Sequence, residues 1–347
     1  MTKGEATKRD WVGRYGVGLA LLAIVILAAI TVPGFFTRAN LTIVLLHVSI
    51  NAILALGMTF VIVTAGIDLS VGSVVGLAGV LVAATVTNAS VLGAVGVAGA
   101  TVLAVMVGMV SGAAIGAANG AVIAYLRVAP FMVTLAMMTM ARGAARLFTG
   151  GVPIGFPATN DPSFDLKVAA LDALNLIGGG RIPVPGLPRG FPVPALTMLA
   201  LAVIGAFVLS RTKFGRHVYA VGGNEEAARL SGVPISRVKL GVYAISGACA
   251  GIAAVLMVGQ LRSGGPDAGM LYELNAIAAA VIGGASLFGG LGTAWGALIG
   301  ALLIGVLNNA LDLMGVQSFW QEISKGAIIL LAVLFDVWTK RGKTTNA

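Results

Sequence analysis

Thr42-Ile-Val-Leu-Leu-His-Val-Ser-Ile-Asn-Ala-Ile-Leu-Ala-Leu-Gly-Met-Thr-Phe-Val-Ile-Val-Thr-Ala65 runs without one charged residue. A hydrocarbon core about 30 Å thick is crossed by about 20 residues of helix, so this stretch spans a bilayer with residues to spare. The same ruler places about ten candidate spans, near 15–34, 42–65, 69–88, 92–124, 129–148, 194–210, 240–261, 272–286, 291–314 and 320–338. Two of them are short or broken and fit re-entrant segments. The expected fold is an all-α, polytopic membrane protein forming a single transmembrane domain over 1–347. Composition agrees: 58% of residues are hydrophobic and 10% charged, with a mean hydropathy of +0.99. That leaves too little polar surface to coat a soluble domain.

Orientation follows from the basic residues near span ends. With the N-terminus inside, the inner set is Lys3, Lys8, Arg9 and Arg14 on a tail over 1–14, Arg127, then Arg211, Lys213, Arg216, Arg229, Arg237 and Lys239, and finally Lys340, Arg341 and Lys343 on a tail over 339–347. These are most of the 22 lysines and arginines. The outer loop, 149–193, instead balances Lys167, Arg181 and Arg189 against Asp161, Asp165 and Asp172. Both termini are therefore expected in the cytoplasm. The +9 charge lies in short segments flanking spans, which argues against a nucleic-acid partner and for membrane lipid. The first apolar run reads as an uncleaved span, because Tyr15 to Val32 is long for a signal peptide and Pro33-Gly-Phe-Phe is a poor cleavage site.

The longest polar interruption on the basic side, 211–239, carries a short helix with its start and stop written in. Asn224 is its N-cap, Glu225 and Glu226 place negative charge on the first turn, Arg229 stands in the last turn, and Gly232 ends it before Pro234. A capped helix on the charged face of a polytopic protein reads as a docking element for a soluble motor.

Glycine is abundant, with 49 copies. Gly112, Gly116 and Gly120 share one face, Gly292, Gly296 and Gly300 another, and Gly247 with Gly251 a third. Small residues at this spacing let helix backbones approach closely in lipid, and packing within one bundle is the expected use. A faint repeat at an offset of 220 residues pairs Val61-Ile62 with Val281-Ile282, Gly72 with Gly292 and Gly76 with Gly296.

Ionisable groups inside spans are functional candidates by default. Asp68, in Gly66-Ile-Asp-Leu-Ser-Val-Gly-Ser73, has two open roles, as a gate at the mouth of a pathway or as a cap for the third span, the preferred one. Ser70 and Ser73 share that ambiguity. Asn51, Asn119, Asn275, Asn308 and Asn309 suit a hydroxylated, uncharged solute, since amides donate and accept without imposing charge; hydrogen bonding between helices competes for each. Arg142 and Arg146 share an outward helix face, and Glu322 and Lys325 are spaced to pair. His47, as a lone histidine, reads as a packing residue.

Three motifs carry a resemblance. Gly57-Met-Thr-Phe-Val-Ile-Val-Thr-Ala-Gly-Ile-Asp-Leu-Ser-Val-Gly-Ser73, Gly222-Gly-Asn-Glu-Glu-Ala-Ala-Arg-Leu-Ser-Gly232 and Ala279-Ala-Val-Ile-Gly-Gly-Ala-Ser-Leu-Phe-Gly-Gly290 occur in the order and spacing of the permeases of ribose-type sugar ABC importers, within the branched-chain amino acid/ribose permease superfamily. The chain resembles that family from about Gly34 to Arg341. The resemblance implies a type II ABC importer-like permease fold, a homodimer in a bacterial inner membrane, two cytoplasmic ATPase subunits that use ATP and Mg, and a periplasmic sugar-binding protein. It also implies that Gly223, Asn224, Glu225, Glu226, Ala227, Ala228, Arg229, Leu230, Ser231 and Gly232 form the coupling helix seated on the ATPase.

The chain itself lacks a phosphate-binding loop: Gly342-Lys-Thr344 resembles the end of one, but Val337 stands where its first glycine belongs. Energy must come from a partner or from an ion gradient, and a proton-coupled secondary transporter using Asp68, Glu273 or His47 is the alternative. With His47 and His217 as the only histidines and Cys249 as the only cysteine, no catalytic triad and no metal cluster is expected.

Overall fold

The computed structural model describes residues 3–317, 319–324, 326, 327, 330 and 334, with backbone only for residues 3–16. The predicted span 320–338 lies partly outside the described residues. The tail 339–347, Lys325 and Val337 lie wholly outside, as do the side chains of the N-terminal basic tail.

Twelve helices and one hairpin follow in order among the described residues: α1 (Lys3–Thr31), α2 (Arg38–Val63), α3 (Val71–Val86), α4 (Ala89–Tyr125), α5 (Pro130–Thr149), α6 (Phe164–Gly178), β1 (Arg181–Val184), β2 (Leu187–Pro192), α7 (Val193–Arg211), α8 (Lys213–Gly223), α9 (Glu225–Leu230), α10 (Ile235–Leu261), α11 (Tyr272–Ile282) and α12 (Ala294–Leu313). Five of them, α2, α4, α7, α10 and α12, are long and apolar enough to cross a membrane by length and composition. The 16 residues of α3 and 11 of α11 reach only about 24 and 17 Å at 1.5 Å per residue, short of a full crossing. The sequence expectation of two short or broken spans named no positions, and α3, expected over 69–88 at full length, is shorter than the ruler placed it. The 37 residues of α4 would reach about 55 Å if straight, and Gly96, at φ 68 and ψ 179, breaks the run near its start.

Helices α2 and α10 form the centre, each with 67% of its most apolar window buried, against 28% for α4 and 33% for α7. The glycine faces are spent inside this one chain. A Cβ on Gly112 would overlap the backbone of Gly247, one on Gly116 that of Tyr243, and one on Gly251 that of Gly108, so α4 and α10 meet backbone to backbone. Gly296 and Gly300 bring α12 equally close to Gly283 and Ala279 at the end of α11. Without a hydrophobic drive between helices in lipid, such van der Waals contact is what holds them.

The expected outer loop 149–193 is largely structured. Leu171 and Leu174 of α6 are fully buried, and Asn175 donates Nδ2 to the Gly259 carbonyl of α10 at 2.7 Å. The helix escaped the span ruler because it is short and carries Asp165, Lys167 and Asp172, although its apolar residues keep helical spacing. The antiparallel hairpin β1–β2 corrects the all-α expectation: Val184 pairs with Leu187 around Pro185-Gly186, with Gly186 at φ +83. Proline followed by a left-handed glycine is the signature of a tight turn. Arg38 at the start of α2 pins this turn, donating to the Gly186 carbonyl at 2.7 Å.

Arg142 and Arg146 share a face of α5, as their spacing requires, but that face grips the α10–α11 connection. Arg142 donates to the carbonyls of Pro266 and Ala268 at 2.6 and 2.8 Å. Arg146 places Nε and Nη2 on Asp267 at 3.0 and 2.7 Å.

Candidate functional site

The polar interruption 211–239 folds into two helices rather than one. Thr212 caps α8 by accepting the Gly215 N–H at 3.1 Å, and Phe214, Val218 and Val221 then recur at helical spacing toward the core. That threonine and its apolar spacing were legible signals. The second helix, α9, forms as expected. Asn224 accepts the Ala227 N–H at 2.9 Å, and past Leu230 the chain turns through Gly232 at φ +79 while Val233 donates back to the Ala228 carbonyl at 3.0 Å.

Six residues cannot hold a helix alone. Ala228 is its one buried side chain, and Lys239 of α10 clamps Glu225 at 2.8 Å. Arg229 lies 3.7 Å from both Glu225 and Glu226. Gly223, Asn224, Glu226, Ala227, Arg229, Leu230, Ser231 and Gly232 all face outward, with Leu230 82% exposed. A rigidly capped helix thus presents one bare leucine flanked by charges.

The start of this element is fastened to the membrane core through backbone. Gly222, last but one in α8, lies so close to the end of α2 that a Cβ there would overlap the Val63 carbonyl oxygen. The same carbonyl accepts the Gly290 N–H at 2.9 Å. Gly289, at φ +83, brings its own backbone against Gly222 and Ala65. Tyr219 adds a fourth tie, donating to the Gly292 carbonyl at 2.7 Å, and its burial pushes the phenol above its ordinary range. The breaks after α2 and after α11, which the faint repeat had aligned, therefore meet at one end of the bundle against α8.

The connection from α2 to α3 is braced in turn. Asp68 is buried, and its Oδ1 accepts the Ser70 N–H at 3.0 Å and the Ser70 hydroxyl at 2.6 Å, while Oδ2 accepts the Ser246 hydroxyl of α10 at 2.8 Å. Asn119 of α4 donates to Ser70 Oγ at 2.9 Å, and Ser73 donates to the Ser70 carbonyl at 2.8 Å. Tyr243 and Thr134 donate to the Ile67 carbonyl at 3.4 and 3.3 Å. Asp68, Ser70, Ser73 and Asn119 thus come together in a buried bracket. Ser70 holds the cap position of α3 but makes no side-chain capping bond; the carboxylate of Asp68 serves the backbone of the entering turn instead.

The remaining amides lie elsewhere. Asn51 and Asn308 line a cavity between α2 and α12, together with His47. Asn309 exchanges hydrogen bonds with Asn40 at 2.7 and 3.0 Å. Asn275 is half-buried on α11 and is not in the cavity lining. Among the described residues no cluster of three or more His, Cys, Asp or Glu side chains is arranged to hold a metal.

The chain that carries these motifs is matched over most of its length. Residues 40–333 match the family described as branched-chain amino acid transport system / permease component. The chain belongs to this family. Among curated relatives, the ribose import permease protein RbsC of Bacillus subtilis (strain 168) is 42% identical over 93% of this chain and 92% of that protein. RbsC of Escherichia coli (strain K12) is 43% identical over 92% of both chains. The xylose transport system permease protein XylH of the same strain is 37% identical over 93% of this chain and 91% of the relative. No solved structure matches. The chain is thus a polytopic transport permease, and the glycine junction and α9 are parts of a permease subunit.

Proposed function

We propose that this permease imports a monosaccharide of the ribose or xylose class across a bacterial inner membrane by alternating access, driven by ATP hydrolysis on separate cytoplasmic ATPase subunits. In this reading two copies form the route, each with about ten spans in a type II ABC importer-like arrangement, both termini cytoplasmic, and a periplasmic binding protein delivers the sugar. ATP and Mg are used by the ATPase alone. The observation that carries the reading is the junction of Val63, Gly222 and Gly290 behind α9, in a chain with relatives named for ribose and xylose transport. A helix that exposes Leu230 and buries only Ala228 is built to be completed by a groove on a partner. Backbone contact behind it passes any displacement to the α2–α3 and α11–α12 connections with little slack.

The test is uptake of radiolabelled D-ribose and D-xylose into vesicles containing the permease, its ATPase and its binding protein. Uptake is expected to require ATP and to persist when an ionophore collapses the proton gradient. Collapse of uptake by the ionophore with ATP intact would transfer the function to a proton-coupled carrier.

A further inference from the structure

Between α2 and α12 lies a cavity of about 180 Å³ whose polar lining is His47, Asn51, Asn308, Asn309, Asp312 and Gln321. Gly305 of α12, also in its lining, lies against Val48 of α2. Three of these side chains are spoken for: Asn309 is paired with Asn40, and Asp312 accepts Gln321 Nε2 at 2.7 Å. The other amides are not. Oδ1 of Asn51 and Oδ1 of Asn308 are both buried without a hydrogen-bond partner. Burying an unmade hydrogen bond is destabilising, and in native structures such a group calls for an explanation. Asn40 and Asn309 pair with each other, and Asn119, whose Oδ1 is also unpaired, still donates to Ser70 inside the bracket; what sets Asn51 and Asn308 apart is that both line a cavity.

We propose that this cavity is a subsite for one uncharged polyhydroxylated solute, with His47, Asn51 and Asn308 forming its hydrogen-bonding wall. The assignment rests on the proposed sugar-import function and adds where in the chain the solute is held. Amide and imidazole groups both donate and accept, which matches a hydroxyl, itself donor and acceptor. Among the described residues no lysine or arginine lines the cavity and Asp312 adds an acid, so these residues offer a carboxylate or phosphate group no counter-charge. An α-amino acid, the solute in the family's description, is disfavoured for the same reason. The volume equals about six waters' share of the liquid, the size of one small solute and not of a nucleotide or peptide.

The experiment compares the wild-type complex with Asn51→Leu and Asn308→Leu, in the same vesicles with ATPase and binding protein, normalised to the amount of assembled complex. Uptake of D-ribose or D-xylose is expected to fall about threefold to tenfold for each, the worth of one neutral hydrogen bond. The thermal midpoint of the purified permease is expected to hold or rise, because an orphaned amide has been removed. A wild-type complex that takes up neither sugar rejects the importer reading itself. Wild-type uptake left unimpaired by both substitutions rejects the subsite alone. A lowered thermal midpoint or separated copies alongside lost uptake assigns the amides to helix or subunit packing and overturns the proposal.

Discussion

Gly222→Ala, set against Gly223→Ala, isolates the transmission step at a cost of one methyl group. At Gly222 the added carbon would overlap the Val63 carbonyl oxygen and stand 2.6 Å from Gly290 N and 2.8 Å from Val63 C. All three are backbone atoms, so no flexible side chain can swing aside. Either the Val63–Gly290 hydrogen bond opens or α8 lifts off α2. Overpacking costs about 1–3 kcal/mol, and a buried peptide group left unpaired costs about 1–3 kcal/mol more. Together a middle value near 4 kcal/mol lowers the ratio of docked to undocked junction by about three powers of ten. At Gly223 nothing lies within 4 Å of the added carbon, and alanine gains about 1 kcal/mol of helix propensity over glycine.

The decisive assay is ATP hydrolysis by the reconstituted complex with and without solute-loaded binding protein, alongside the thermal midpoint of the purified permease. Gly222→Ala is expected to lower the midpoint and to lose most of the stimulation by solute, while still inserting in the membrane. Gly223→Ala is expected to keep its midpoint. Equal behaviour of the two variants would refute the idea that motion passes through backbone contact at this junction.

Asp68→Asn is expected to keep assembly and most transport, since one amide oxygen still accepts from Ser70 and the NH₂ can donate to Ser246 Oγ; Asp68→Leu orphans three donors and should cost about 3 kcal/mol or more, read as loss of assembled complex. Loss of transport in a stably assembled Asp68→Asn complex would show the carboxylate to be a proton carrier. Leu230→Asp, at a side chain 82% exposed, should change permease stability by no more than about 0.5 kcal/mol yet weaken co-purification with the ATPase; unchanged co-purification removes α9 from the docking surface. The hydrogen bond from Lys167, together with the Ser163 N–H, holds Asp161 below the usual carboxylate range, so its stabilising contribution is present above the unfolded-state value and is lost as pH falls through the lower folded value. Asp161→Asn should therefore flatten the acid limb of a thermal-midpoint profile, and an unchanged limb would discard the pair as a stabilising contact.

Legibility in the sequence tracked the physics of each element. The long apolar runs became α2, α4, α7, α10 and α12, because a run that exceeds the bilayer ruler has few other structures available. The cap of α9 was readable because Asn224, Glu225, Arg229 and Gly232 all act within one short segment. The glycine faces at 112–120 and 247–251 were readable as close packing, but their partner was not, since spacing says that a backbone approaches without saying which one. Helix α6 and hairpin β1–β2 were passed over: Asp165 and Lys167 break the hydropathy that the span ruler measures, and Pro185-Gly186 is a turn signal that a membrane reading discounts. Asp68, Ser70, Ser73 and Asn119 were singled out as polar groups inside apolar runs. Their assembly into a bracket depends on Ser246, which is 178 positions from Asp68, and no local pattern encodes that distance.

The two polar groupings of the core place opposite demands on the chain. The bracket at Asp68 gives the carboxylate donors from Ser70, ahead of α3, and from Ser246 of α10, and ties the Ile67 carbonyl to α5 and α10, so it resists change in the turn that follows α2. The cavity between α2 and α12 leaves Asn51 and Asn308 unpaired, a cost that solute hydroxyls would offset. His47 and Asn51 stand near the middle of α2, and the bracket follows its end at Ile67 and Asp68, so both groupings depend on a helix that is among the most buried in the chain. A rigid, central helix that ends in the glycine junction and also carries one wall of the cavity can tie the orientation of Asn51 and His47 to the position of α9. Had the junction been built from long side chains, their rotamers would absorb displacements of an ångström or so. Contact between peptide groups at Gly222, Val63 and Gly290 leaves no such slack, and this is a physical reason for three glycine-containing motifs, far apart in sequence, to meet at one carbonyl oxygen.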